Sequence, residues 1–333
     1  MIALAGCSRA GADAPATEQW RTIEVEARAA ELIPEHPGPR RVGALVFRGG
    51  VELSSRDAAF GGISGLWVGA DGRFVAVNDH GWWFCAQLEN DAESGAPLRL
   101  ANVRAARMRN ERGKYFHRRS FADAEGLARL PDGRFVVSFE QRQLLRFYDL
   151  DGAGPSAAPS MGPSLGGGDD LEANAGFEAV ADAGGGRLLI GAERSEPGAE
   201  QLGAALWLAP INGNGGDVSP AARLDTPKGF GLTSLDRLPD GDFVALERFY
   251  APVIGPRVRI LRLAANSLRT GHASATLLAE LGAEYAIDNF ESVAALPLAD
   301  GGARLFLISD DNFSPTQRTL LYVLDLPASA LRN

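Results

Sequence analysis

Cysteine and lysine are nearly absent from this 333-residue chain, at two residues each. Two thiols, Cys7 and Cys85, cannot make the four-ligand set of a structural zinc site. With four histidines and no HExxH, a zinc hydrolase centre is disfavoured as well. Basic charge is in deficit. The 33 Lys+Arg face 42 Asp+Glu, a formal −9, which argues against a nucleic-acid binder that must displace counterions from phosphate. No stretch approaches the roughly 18 apolar residues of a membrane-spanning helix. Gly62-Ile63-Ser64-Gly65 has the wrong spacing for a GxSxG elbow, and no SxxK set, P-loop or GxGxxG occurs. Any ester hydrolysis therefore points to a metal-activated water rather than a serine nucleophile. What is present is an ordinary globular mix, 45% hydrophobic and 23% charged, which excludes wholesale disorder. Its 40 glycines and 19 prolines suit a fold with many turns.

Leu4-Ala5-Gly6-Cys7 matches the lipobox of bacterial lipoproteins: a branched apolar residue, two small residues and the acylated cysteine. Only six residues precede Cys7, too few for a signal peptide, so the true start is expected upstream. Residues 1–20 are read as a truncated lipoprotein signal and tether, with Cys7 the lipidation site. Ser8 after the cysteine fits sorting to the outer membrane. The expected location is its periplasmic face, with the protein exported, held by lipid alone and monomeric. Cys85 then has no disulfide partner; within Trp82-Trp83-Phe84-Cys85 it reads as a small buried hydrophobe.

Self-similarity is the strongest signal. Five segments share an apolar strand, a tight glycine turn, a second strand ending in polar residues and a third apolar strand. Their turn glycines are read at 72, 133, 186, 241 and 302, a period of about 57 residues. Asp-Gly supplies the positive φ of a hairpin turn, between runs rich in Val, Leu, Ile and Phe. Four short strands per repeat, stacked radially, make an all-β fold, a β-propeller. Two β-sandwiches would need no such period. Five repeats are clear, and a sixth blade is sought in residues 95–120 or 152–168, so five or six blades are expected. The last repeat stops after its third strand, so residues 42–53 are expected to supply the missing outer strand and latch the ring. Residues 21–333 are read as one domain.

Inner strands of a propeller line its channel. Here they carry Ser64, Glu125, Glu178, Ser234 and Glu291, read as equivalent. The second strands end in Asn78-Asp79, Glu140, Glu193, Glu247 and Asp310-Asp311-Asn312. Carboxylates gathered at one mouth repel one another and need a cation, guanidinium partners or shared protons. Calcium, which takes six to eight oxygens, is the economical answer. The expected metal ligands are Asp79, Glu125, Glu178, Glu291, Asp310 and Asp311. Glu125, Glu178 and Glu291 are also the expected catalytic acids. Arg194 and Arg248 directly follow glutamates and would pair with them or meet an anionic substrate. His80, at a strand exit, is a candidate base.

The chain resembles the bacterial "esterase-like activity of phytase" family. The residues that carry the resemblance are Gly62-Ile63-Ser64-Gly65-Leu66, Asp123-Ala124-Glu125-Gly126-Leu127 with Pro131-Asp132-Gly133, Asn289-Phe290-Glu291-Ser292, and Ser309-Asp310-Asp311-Asn312-Phe313. Ala179 and Ser292 stand where a glycine is more usual after the glutamate. The resemblance implies a phytase-like propeller and a hydrolase. With Lys114 and Lys228 alone, any phosphate clamp would rest on arginine. The expected activity is metal-dependent hydrolysis of a small anionic or ester substrate, either a phosphate or a carboxylic ester. The alternative is a non-catalytic binding propeller whose acidic ring is structural.

Overall fold

The computed structural model describes residues 20–166, 176–194, 203–212, 218–251 and 254–331; Cys7 and the tether before Trp20 lie outside them. Five antiparallel sheets stand as blades. Blade one runs outward through Ile63–Val68, Arg73–Asn78, Trp82–Asn90 and Pro97–Arg107, with Arg21–Thr22 added outside. Blade two comprises Ala124–Arg129, Phe135–Phe139, Leu144–Tyr148 and Ser160–Met161. Blade three comprises Phe177–Gly184, Arg187–Ala192, Ala204–Pro210 and Ala222–Leu224, with Gly271–His272 in parallel beyond. Blade four comprises Phe230–Arg237, Phe243–Ala251, Gly255–Leu263 and Ala275–Leu281. Blade five comprises Asn289–Pro297, Ala303–Asp310 and Thr319–Leu326, then Leu45–Ser54 and Glu26–Ala29. The fourth strand of this last blade thus comes from the N-terminal part of the chain, in register from Thr319↔Leu53 to Asp325↔Val46. No sixth sheet occurs among the described residues. The two spacers searched for one hold the outer strands of blades one and two.

The second strands explain why the repeats read as unbroken apolar runs. Both faces of a blade are covered, so alternate residues enter different cores. Phe74 and Ala76 pack toward blade five, whereas Val75 and Val77 pack toward blade two. Leu305 and Leu307 face blade four while Phe306 and Ile308 face blade one. Five hydrophobic clusters result, one for each of the five blade–blade junctions of a closed ring. Each fully buried Leu or Phe contributes about 1.5–3 kcal/mol to holding its junction. Val51 and Leu53 lie in the cluster between blades five and one. Trp83 is buried between blades one and two, and Phe84 points the other way.

Turn chemistry repeats too. At Asp71, Asp132, Asp240 and Asp300 a side-chain oxygen accepts the amide two residues on, and the intervening glycine has positive φ. In blade five that glycine is Gly301, φ 85°, one position before the Gly302 read from the repeat. Gly302 instead donates its amide to Asp300, at 2.8 Å.

Candidate metal centre at the channel mouth

Every inner strand slips register by one residue at the same place. The breaks fall between Ile63 and Gly65, Phe177 and Ala179, Leu232 and Ser234, and Phe290 and Ser292; in blade two Ser138 opposes both Glu125 and Gly126. A bulge inserts an unpaired residue and re-aims its side chain. The bulged residues are Ser64, Glu125, Glu178, Thr233 and Glu291. Thr233, not Ser234, is therefore the blade-four member. Ser234 is the small residue that follows, and its hydroxyl accepts the Val293 amide of blade five at 3.1 Å. The same small position is Gly126 in blade two, where a Cβ would meet the Glu178 carbonyl oxygen at 2.6 Å.

At one equivalent position near the ends of the second strands the ring reads Asp79, Glu140, Glu193, Arg248 and Asp310. The amides of Asp79, Glu140 and Glu193 close onto Gly62, Asp123 and Gly176, and register pairs Gly231 with Arg248 and Asn289 with Asp310. Glu247 is one residue out of phase. Its carboxylate turns aside to Arg259, at 2.5 Å, and blade four offers the mouth a cation. Asp123, read in the sequence only as part of a motif, enters the acid wall beside Glu125.

The acids meet closely. Carboxylate oxygens of Asp123, Glu125 and Glu140 lie within 4.8 Å of one another, as do those of Glu140, Glu178 and Glu193. Glu140 joins the two groups. All eight acids of the mouth (Asp79, Asp123, Glu125, Glu140, Glu178, Glu193, Glu291 and Asp310) are buried. Two like charges at such distances repel by a few kcal/mol, about 4 at an effective dielectric of 20. Burial, then Asp79, pushes Asp123 up to about 6. Burial, then Asp123 and Glu193, pushes Glu140 up to about 7. Burial raises Glu125 and Glu178 well above the usual carboxylate range, each reinforced by the other acids. Burial raises Asp310 likewise, with Glu291 adding to it.

Three arginines touch this wall. Arg248 Nη2 lies 3.5 Å from Glu193 and Nε 3.6 Å from Glu291, while Nη1 donates to Asn289 Oδ1 at 3.0 Å. Asn289 donates in turn to Glu291 Oε1 at 2.7 Å. Burial raises Glu291 too, but Arg248 and Asn289 restrain the rise. Burial works against the Arg248 charge, yet Glu291, Glu178 and Glu193 outweigh it and hold the guanidinium protonated. Arg194 Nη2 sits 3.1 Å from Glu193, more than half exposed. Arg119, which no sequence pattern singles out, pairs with Asp79 Oδ2. Asp79 Oδ1 is buried without a hydrogen-bond partner.

Of the six expected ligands only Glu125 and Glu178 fall in the two close groups; Asp79, Glu291 and Asp310 lie in the wall outside them, and Asp311 and the candidate base His80 make other contacts. Asp311 straps blade five to blade one: Oδ1 accepts the amides of Gly62 at 2.9 Å and Phe313 at 3.0 Å, and Oδ2 accepts Thr319 Oγ1 at 3.1 Å. His80 stacks on Phe313, ring centres 4.1 Å apart, and burial lowers its pKa, with Asp79 partly opposing. Beside the mouth, between blades four and five, a cavity of about 440 Å³ is bordered by Arg248, Tyr250, Asp288, Asn289, Asn312 and Gln317.

The donor set suits a hard cation. It is all carboxylate oxygen, without histidine or thiol. Calcium holds oxygens at about 2.3–2.6 Å, so two ligands of one ion are at most about 5 Å apart, a limit that both groups satisfy.

The sequence profile of the phytase-like family, "esterase-like activity of phytase", matches residues 58–313. None of the curated proteins compared with the chain matches it. Among solved structures the chain is similar to the PQQ-bound aldose sugar dehydrogenase of Streptomyces coelicolor, at 13% identity and TM-score 0.40, covering 91% of this chain and 99% of that one. It is similar to virginiamycin B lyase of Staphylococcus aureus, at 9% identity and TM-score 0.35 over 90% and 99%. It is also similar to the Dos1 propeller, at 8% identity and TM-score 0.35 over 85% and 76%.

Proposed function

The chain belongs to the phytase-like family, and on that premise we propose that it hydrolyses phosphate or carboxylic esters at the acid-lined mouth of its propeller. One observation carries this reading: two triads of buried carboxylates, sharing Glu140, gather their oxygens within 4.8 Å of one another. Asp123, Glu125, Glu140, Glu178 and Glu193 would hold the ion. Bound calcium would polarise the ester and lower the pKa of a water. Asp79, Glu291 and Asp310 continue the acid wall around it. Arg248 faces both that wall and the adjoining cavity, so it would steady negative charge on the ester oxygens while the leaving group lies in the cavity. Arg194, on the outer side of Glu193, would guide an anionic substrate inward. His80, next to Asp79 in the chain and stacked on Phe313, would accept a proton; burial lowers its pKa.

Hydrolysis of p-nitrophenyl phosphate and short acyl esters, measured with calcium and with chelator, tests the reading. Activity should vanish in chelator and in Glu125→Gln. Flat rates on every substrate, despite a calcium-induced rise in melting temperature, would instead favour a non-catalytic binding propeller. A specific feature supports that second reading: Glu193 and Glu291 already have a guanidinium within 4 Å.

The lipobox leads us to place the protein outside the cytoplasm, on the periplasmic face of the outer membrane, as a lipid-anchored monomer. Metabolic labelling with palmitate should mark the wild type and not Cys7→Ser.

A further inference from the structure

Within a chain of net charge −9, residues 97–119 carry eight Lys+Arg and a single acid, Glu111. They form the outer strand Pro97–Arg107 of blade one and the connection to blade two. Some of these cations are engaged. Arg99 pairs with Glu89, Arg119 with Asp79, and Arg107 lies over the rings of Trp82 and Tyr115. Glu111 is taken by Arg146 of blade two. Arg109 bridges to Tyr115 as a small hairpin, with the Asn110 amide bonded to Lys114, so Arg112 and Lys114 sit at its tip. Arg112, Lys114 and Arg118 are exposed and form no ion pair among the described residues.

The N-terminal end of the described chain lies on this same edge. Arg21 and Thr22 pair with Ala105 and Arg104, and the Arg104 guanidinium lies 5.4 Å from the centre of the Trp20 ring. Cys7 is thirteen residues before Trp20, a span of at most about 47 Å when extended. A lipid on Cys7 would therefore hold the chain by this basic edge.

We propose that Arg112, Lys114 and Arg118 form an electrostatic docking face for an anionic lipid surface. The orientation argument rests on the lipid-anchor reading, whereas the charge argument does not. Each cation near such a surface strengthens binding about fivefold, and salt screens the effect. An acidic protein is otherwise repelled by anionic vesicles, so retention on them requires a local basic face.

The test is co-sedimentation of full-length Cys7→Ser protein, which carries no lipid, with vesicles of phosphatidylcholine alone or mixed with phosphatidylglycerol. Retention is expected only on the mixed vesicles and should fall with added salt. The triple variant Arg112→Gln, Lys114→Gln, Arg118→Gln should lose roughly a hundredfold in affinity. Arg187→Gln with Arg237→Gln, exposed on blades three and four, should change nothing. Equal retention on neutral vesicles, no retention at low salt, or a triple variant that binds like its parent overturns the proposal. So does competition by inorganic phosphate far beyond that of chloride at equal ionic strength, which would assign the strip to small anions. Palmitate labelling of the wild type reports on Cys7 separately, so failure of the anchor and failure of the docking face give different results.

Discussion

Arg248 of blade four, the one blade whose second-strand position carries a base instead of an acid, meets Glu291 of blade five at the mouth, Nε to Oε1 at 3.6 Å. Glu291 is buried and Arg248 half-buried against further carboxylates, so removing the cation leaves charge uncompensated. Arg248→Gln should lower the stability of the metal-free protein by about 3 kcal/mol. It should also enlarge the rise in melting temperature on adding calcium, because the acid wall then carries one more unopposed charge. Calorimetry with and without calcium measures both. An unchanged calcium shift would separate Arg248 from the cation site.

The raised carboxylates set a pH dependence with a definite sign. Asp123 moves from 3.8 to about 6 and Glu140 from 4.5 to about 7 on folding, so between those values the folded state holds protons that the unfolded chain has released. Their contribution to stability is fully present below pH 4 and is lost as pH rises through 6 to 7. In chelator, the melting temperature should fall across that window, reflecting a loss on the order of 2 kcal/mol per group. Calcium should flatten the fall and release protons as it binds, measurable by calorimetry in buffers of different ionisation enthalpy. A melting temperature that rises from pH 5 to 8 in chelator would contradict the crowding.

Gly126→Ala should be costly without touching any acid. The new methyl would lie 2.6 Å from the Glu178 carbonyl oxygen and 2.9 Å from the Val180 nitrogen, both backbone atoms of the next blade. The two inner strands must part, for about 2–3 kcal/mol. Since Glu178 sits on the displaced strand, calcium affinity should drop as well. Urea unfolding and calcium titration check the two effects.

Leu53→Ala probes the strand that the N-terminal part of the chain contributes to blade five. Leu53 is buried between blades five and one, and its deletion should cost about 3 kcal/mol. If this strand holds the ring shut, the variant should also unfold faster. An unfolding rate equal to the parent's, despite lost stability, would show that the strand is no latch.

Much of this architecture could be read from the chain because a propeller blade is coded locally. Alternation, Asp-Gly turns and the period of about 57 residues predict radial repeats of four short strands, and five sheets stand as blades. The site was less legible, for a physical reason. Blade four carries no acid at either place: Thr233 stands at the bulge and Arg248 at the second-strand position. A pattern built on acidic and small polar residues therefore points one residue away from each, to Ser234 and Glu247. Consecutive glycines hid the phase of the fifth turn, since Gly301 and Gly302 have the same composition but different φ. Arg119 carried no local pattern at all, because its partner Asp79 is 40 residues away and reaches it only through blade packing.

The one-residue slip in each inner strand has an engineering corollary. The side chains it releases are uncoupled from the hydrophobic junctions, which are filled by the residues on either side. Ser64, Glu125, Glu178, Thr233 and Glu291 thus line the mouth without filling a junction. A substitution at any of them changes the lining and its charge without opening a cavity in the hydrophobic ring.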